Sequence, residues 1–142
     1  MDAFTILHVE DDPNDAMLVK RAFVRAKLPV SLQQVSDGQK AVDYLEGVGQ
    51  YSDRHQFPEP QLVLLDLKLP ALNGFEVLAS ARKNSRLEKT PIFILSSSDQ
   101  PEDQQRAQKL GANRYLLKTA AFQDVVQHTS KLLGSQSEAA RQ

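Results

Sequence analysis

Four stretches of this chain place polar side chains directly after apolar runs. Glu10, Asp11 and Asp12 follow Ile6-Leu7-His8-Val9, and Asp66 follows Leu62-Val63-Leu64-Leu65. Ser96 follows Ile92-Phe93-Ile94-Leu95, and Lys118 follows Tyr115-Leu116-Leu117. An ordinary Asp or Glu is ionised at neutral pH, with a reference pKa of about 4. Several carboxylates brought into one crevice repel one another and rise in pKa, and a hard divalent cation relieves that cost. A donor set of carboxylate oxygens without His or Cys suits Mg²⁺, which takes one or two carboxylates and keeps several waters. Lys118 adds a compact positive charge suited to a phosphoryl oxygen, and Ser96 adds a hydroxyl donor. A carboxylate beside a metal and a lysine is the equipment for forming an aspartyl phosphate. Each residue alone has a plainer reading: Asp12 as a helix cap, Ser96 as a turn hydroxyl, Lys118 as a solvated strand end. Their shared placement at strand ends is what points to a site.

That placement depends on the elements that carry them. The uninterrupted run Leu62–Leu65 reads as a strand buried on both faces, at the centre of a parallel sheet covered by helices. Strand-like and helix-like segments alternate to near Leu133, the pattern of a parallel α/β fold with five strands and five helices. In such a sheet all carboxyl ends of the strands lie on one edge, where open α/β sheets bind ligands. The first helix opens at Asp12-Pro13, with Asp12 as cap and Pro13 at the first helical position. A second helix is marked by Ala41, Val42, Leu45 and Val48, and a third by Phe75, Val77, Leu78 and Ala81. A fourth begins at Asp99 and Pro101, and the last carries Phe122, Val125, Val126, Thr129, Leu132 and Leu133. Gly134 is expected to stop that helix, leaving 134–142 as a polar tail. Gly47–Pro60 reads as a long irregular connection, a tolerated insertion that Tyr51 and Phe57 pack down or offer to a partner.

Composition narrows the function classes. The chain has 142 residues, 41% hydrophobic and 25% charged, as expected of one soluble domain. A net charge of -1 argues against a broad nucleic-acid footprint. Without cysteine there is no disulfide or thiolate metal site. No apolar run is long enough for a transmembrane helix, and Met1-Asp2-Ala3 does not begin a signal peptide, so a cytoplasmic location is the expectation. His8, His55 and His128 lack the spacing of a metal or catalytic site, and His8 reads as a packed strand residue.

From about Phe4 to Leu133 the chain resembles the response regulator receiver domains of two-component systems, the chemotaxis-type fold. The resemblance rests on Val9-Glu10-Asp11-Asp12, on Leu65-Asp66 followed by Leu69-Pro70 and Asn73-Gly74, on Ile94-Leu95-Ser96, and on Tyr115 three residues before Lys118. It implies a doubly wound sheet of strand order 2-1-3-4-5, a receiver domain over 4–133, and a phosphoryl group taken from a histidine kinase onto Asp66. It further implies Mg²⁺ held by Asp11, Asp66 and the backbone carbonyl of Lys68, with Glu10 holding metal-bound water. Lys118 and Ser96 would contact the phosphoryl group, with Ser97 and Ser98 as less favoured hydroxyls, and Tyr115 would be the switch aromatic. Such a protein catalyses only its own phosphorylation and dephosphorylation. A stand-alone receiver of this kind is similar to regulators that serve bacterial phytochrome kinases, which are often homodimers. The face of the fourth helix, fifth strand and last helix would carry partner binding or dimerisation. Lys68, if not simply an exposed loop lysine, would tune phosphoryl lifetime. The family usually has proline after the lysine, whereas Thr119 stands here, leaving the Lys118–Thr119 bond open between cis and trans. An alternative, a haloacid dehalogenase-like phosphohydrolase, requires a second Asp two residues after the nucleophile, where this chain has Lys68.

Overall fold

The computed structural model describes residues 4–118 and 122–141, with side chains described as far as residue 134. Five parallel strands, β1 (Phe4–Val9), β2 (Val30–Val35), β3 (Leu62–Asp66), β4 (Ile92–Ser96) and β5 (Arg114–Leu117), form one sheet. Its order is β2-β1-β3-β4-β5, as expected, with the apolar β3 run at the centre. Five helices connect and follow the strands: α1 (Pro13–Ala26), α2 (Gly38–Glu46), α3 (Gly74–Lys83), α4 (Pro101–Lys109) and α5 (Gln123–Arg141).

Alternation along each strand divides the core into two layers. Leu7, Val9, Val63, Leu65, Ile92 and Ile94 face one way, packing with Ala41 and Leu45 of α2, Phe75 and Leu78 of α3 and Ala107 of α4. Phe4, Ile6, Leu62, Leu64, Phe93 and Leu95 face the other way, against Val19 and Phe23 of α1 and Val125 of α5. Leu62, Leu64 and Leu65 are fully buried, each contributing about 2 kcal/mol by removing apolar area from water. A charge at Leu65 would break the strand that presents Asp66.

Local signals set the helix boundaries. Asp12 caps α1, its side chain accepting from the N–H groups of Asn14 and Asp15, and Pro13 occupies the first turn. Asn73 and Glu76 form a reciprocal capping box at the start of α3. The fourth helix begins at Pro101 and does not include Asp99, and Gln100 before it makes no side-chain cap bond. Two further expectations are corrected. Val48 lies beyond α2 and is exposed, because Gly47 ends that helix in the left-handed conformation (φ 69°). The residue that anchors α2 is instead Tyr44, fully buried. Gly134 does not stop α5, which runs on to Arg141; one internal glycine costs a helix only about 1 kcal/mol, and Glu138, Ala139, Ala140 and Arg141 favour helix.

The long connection is packed rather than loose. Tyr51 and Phe57 stack with Tyr44, with ring centroids 5.1–5.9 Å apart. The Tyr44 hydroxyl donates to the Pro58 carbonyl at 2.8 Å, and Arg54 donates to the carbonyls of Leu45 and Phe57. Of the two readings of its aromatics, packing is the one observed.

Candidate functional site

The carboxyl edge of the sheet gathers the charged groups. Parallel pairing puts Val9 of β1 level with Leu65 of β3, and Asp66 level with Leu95 of β4, so Glu10, Asp66 and Ser96 leave neighbouring strand ends. Lys118 follows β5 directly, its N–H donating to the Ser96 carbonyl at 2.8 Å. Asp66 is buried at 6% exposure. Its Oδ1 accepts from the Lys68 N–H at 3.2 Å, and its Oδ2 accepts from Lys118 Nζ at 2.9 Å. Gly74 makes this turn possible: a Cβ there would overlap the Asp66 carbonyl oxygen and the Leu67 backbone.

Lys118 has three carboxylate partners. Nζ lies 2.8 Å from Glu10, 2.9 Å from Asp66 and 2.9 Å from Asp15. Burial opposes the ammonium charge, but the nearby carboxylates of Glu10, Asp66 and Asp15 outweigh it and raise the lysine pKa. Glu10 moves the other way: burial first, and then the neighbouring Asp66, push its carboxyl up to about 7 against the pull of Lys118. One acid of the group is therefore poised to hold a proton near neutrality. Asp15 was not singled out from the sequence, where an acid in the first turn of a helix reads as a partner of the helix dipole. The only cue to it was position, one helical turn past the cap beside an acid-bearing strand end.

The remaining sequence-derived residues lie close by in different roles. Asp11 is exposed at the mouth. One carboxylate oxygen each from Glu10, Asp11 and Asp66 lies within 4.8 Å of the other two. This all-oxygen set fits a hard divalent cation, and Lys118 now neutralises two of its three members. A cavity of about 300 Å³ opens beside Glu10 and Asp11, walled by Lys40 and by Tyr51 from the long connection. Ser96 is buried, its Oγ accepting from the Ser98 N–H at 3.0 Å. The Ser98 hydroxyl is committed to Asp103 at 2.7 Å. The Tyr115 hydroxyl donates to the Ser98 carbonyl at 2.8 Å, tying β5 to the turn after β4. Lys68 is exposed and contributes its backbone N–H; it supplies no acid at the position a dehalogenase-type hydrolase needs. Asp12 is the α1 cap and donates its N–H to Glu10. His8 is fully buried, its Nδ1 paired with the Gln34 amide, and burial lowers its pKa to about 4. The Lys118–Thr119 bond lies outside the described residues.

The response regulator receiver domain family matches residues 6–130. The chain belongs to that family. It is 39% identical over 127 residues to the probable methanogenesis regulatory protein FilR2 of Methanothrix harundinacea, covering 87% of this chain and 77% of that protein. Among solved structures it resembles the phosphorylated cyanobacterial phytochrome response regulator RcpA, with TM-score 0.80 and 31% identity over 92% of this chain and 91% of that one. It also resembles the Mn²⁺-bound form of response regulator Rcp1, with TM-score 0.76 and 33% identity over 87% of each chain. A receiver domain of a two-component system therefore accounts for the fold, the strand order and the acidic edge together. Among the described residues no helix is long and apolar enough to cross a membrane.

Proposed function

We propose that this receiver domain is a phosphorylation switch with Asp66 as phosphoacceptor. The observation that carries the reading is the Asp66 carboxylate, buried at the switch point of the sheet and fixed by the Lys68 N–H and the Lys118 ammonium. A buried carboxylate held from both sides is a nucleophile of fixed aim, so little rotational freedom is lost on reaction. A carboxylate oxygen of Asp66 attacks the phosphorus of a kinase phosphohistidine. The P–N bond breaks, a P–O bond forms, and the imidazole leaves with a proton. Lys118 then donates to a phosphoryl oxygen, and Ser96 turns its hydroxyl to another, giving up its bond from the Ser98 N–H. That loss loosens the same turn that Tyr115 grips through the Ser98 carbonyl, which carries the change to the face of α4, β5 and α5.

Asp11, Asp66 and the Lys68 carbonyl would hold Mg²⁺, with Glu10 on its bound water; the ion supplies positive charge for the phosphoryl oxygens. The partner is a sensor histidine kinase in the cytoplasm, and the phytochrome regulators among the similar structures favour a phytochrome-type kinase. The output is binding of another protein or homodimerisation through the α4–β5–α5 face, where Leu117 leaves a leucine 39% exposed on the edge strand. The protein catalyses no reaction but its own modification and its reversal.

The test is incubation with Mg²⁺ and acetyl phosphate, followed by intact mass and solution size. One phosphoryl group per chain with a linked change in size is expected. Transfer that survives Asp66→Asn would end the reading.

A further inference from the structure

The three carboxylates around Lys118 are not equivalent. Glu10 and Asp66 belong to the oxygen cluster that can close on a cation, whereas Asp15 does not. Asp15 reaches the ammonium from the first turn of α1, and its place there is fixed twice. The Asp12 side chain accepts from its N–H at 3.4 Å, and the Gln34 amide donates to the next carbonyl, that of Ala16, at 2.8 Å. An ammonium has three N–H donors; two of them here go to Asp15 and Asp66, and Glu10 Oε1 lies 2.8 Å away as an ion pair. A divalent cation in the cluster would draw Glu10 and Asp66 toward itself and repel the lysine, since like charges a few ångströms apart in a half-buried crevice interact strongly. Lys118 would then keep one anionic partner.

We propose that Asp15 is a positioning residue for Lys118: it holds the ammonium over Asp66 once a cation has claimed the other two carboxylates. The proposal rests on the reading of Asp66 as phosphoacceptor. Asp15 makes no contact with the phosphoryl group; it acts through the lysine. Among the described residues it also makes the start of α1 the one helix terminus bonded to the lysine side chain, so a partner that shifts this helix would shift Lys118.

The experiment compares wild type, Asp15→Asn and Asp15→Glu with acetyl phosphate across an Mg²⁺ titration. For Asp15→Asn the maximal phosphorylation rate should fall about tenfold, less than the about 100-fold scale of losing an aimed donor outright because the lysine is loosened and not removed, while half-saturation by Mg²⁺ stays the same or tightens. In ¹⁵N spectra of the Mg²⁺-loaded protein, the slowly exchanging Lys118 ammonium signal should be present in wild type and lost in Asp15→Asn. Asp15→Glu, which keeps the charge, should recover at least half the rate. An unchanged maximal rate in Asp15→Asn overturns the inference, as does a loss seen wholly as weaker Mg²⁺ binding. A glutamate variant as slow as the asparagine one overturns it too, because the loss then reflects helix packing. If wild type itself takes up no phosphoryl group, the phosphoacceptor reading fails and the inference falls with it; normal uptake in both wild type and Asp15→Asn removes the inference alone.

Discussion

Lys118 and Arg82 are cations at opposite edges of the same sheet, and they keep different company. Lys118, at the carboxyl edge, is ringed by the charged groups of Glu10, Asp15 and Asp66. Arg82, at the amino edge, donates to the backbone carbonyls of Leu87, Glu88, Thr90 and Gly111 and to the Asn113 side chain, at 2.6–3.4 Å. Its acceptors are neutral: four backbone carbonyls fixed by the chain and an Asn113 oxygen that also accepts from the Ile92 N–H. The guanidinium therefore clamps the end of α3 to the starts of β4 and β5 for as long as the protein is folded. Under the proposed switch, the carboxylates around Lys118 are instead open to a cation, and Asp66 to conversion into an acyl phosphate. One edge is built to stay, the other to exchange partners.

The sharpest way to break this comparison is to remove each cation. Arg82→Met leaves several carbonyls unpaired in a partly buried site, and should cost about 3 kcal/mol in urea denaturation. Phosphoryl uptake per folded molecule should be unchanged. Lys118→Met should do the reverse. Phosphorylation by acetyl phosphate falls about 100-fold, the usual scale for losing an aimed donor. Stability changes by about 1 kcal/mol or less, because Glu10, already raised to about 7, relieves the repulsion by taking a proton. An Arg82 variant that kept its stability and lost its chemistry would reverse the assignment of the two edges.

The two edges were also unequally legible in the sequence. Asp66, Glu10, Asp11, Ser96 and Lys118 stand immediately after apolar runs, and period-two burial makes strand ends easy to locate. Strand order came from the family resemblance, since apolar runs do not say which strand pairs with which. Arg82 gave no signal, because a basic residue in the last turn of a helix is what the helix dipole favours anyway. Asp15 was hidden for the mirror-image reason at an N-terminus. Tyr44 was missed because a phenol among polar neighbours reads as half-exposed, and its burial depends on Tyr51 and Phe57 folding back from a connection without periodicity. Residues that act through contacts made by the fold, rather than by position on their own element, are the ones a linear reading loses.

Protonation bears on the Lys118 surroundings, where both Glu10 and His8 feel Lys118 and Asp66. Glu10 is raised from 4.5 to about 7, so between those values the folded state holds a proton that the unfolded chain has released. Its contribution to stability is therefore lost as pH rises through that window. His8, lowered by burial from 6.5 to about 4, does the opposite: the unfolded chain takes up a proton that the folded state refuses, and stability is lost as pH falls from 6.5 toward 4. In the cation-free protein the two slopes nearly cancel between pH 8 and 5. Glu10→Gln and His8→Gln should each uncover about 2 kcal/mol of pH dependence, of opposite sign. Thermal unfolding at the two pH values reads this directly. Added Mg²⁺ should stabilise wild type clearly at pH 8 and little at pH 5, where Glu10 keeps its proton. Equal stabilisation at both would remove Glu10 from the cation's surroundings.

The smallest expected effect concerns a third cation. Lys68 borders Asp66 as Lys118 does, but it contributes its backbone, the N–H at 3.2 Å from Oδ1, while its side chain stands exposed. Lys68→Ala keeps that N–H and the adjacent carbonyl, so phosphoryl uptake and stability should be unchanged. What it removes is a long exposed side chain two residues from Asp66, which under the proposed switch would screen an acyl phosphate from water. The half-life of the phosphoprotein, followed after the phosphodonor is removed, should shorten about threefold, a change below 1 kcal/mol. An unchanged half-life would leave Lys68 acting through its backbone alone, and the exchangeable edge would then hold a single functional ammonium, that of Lys118.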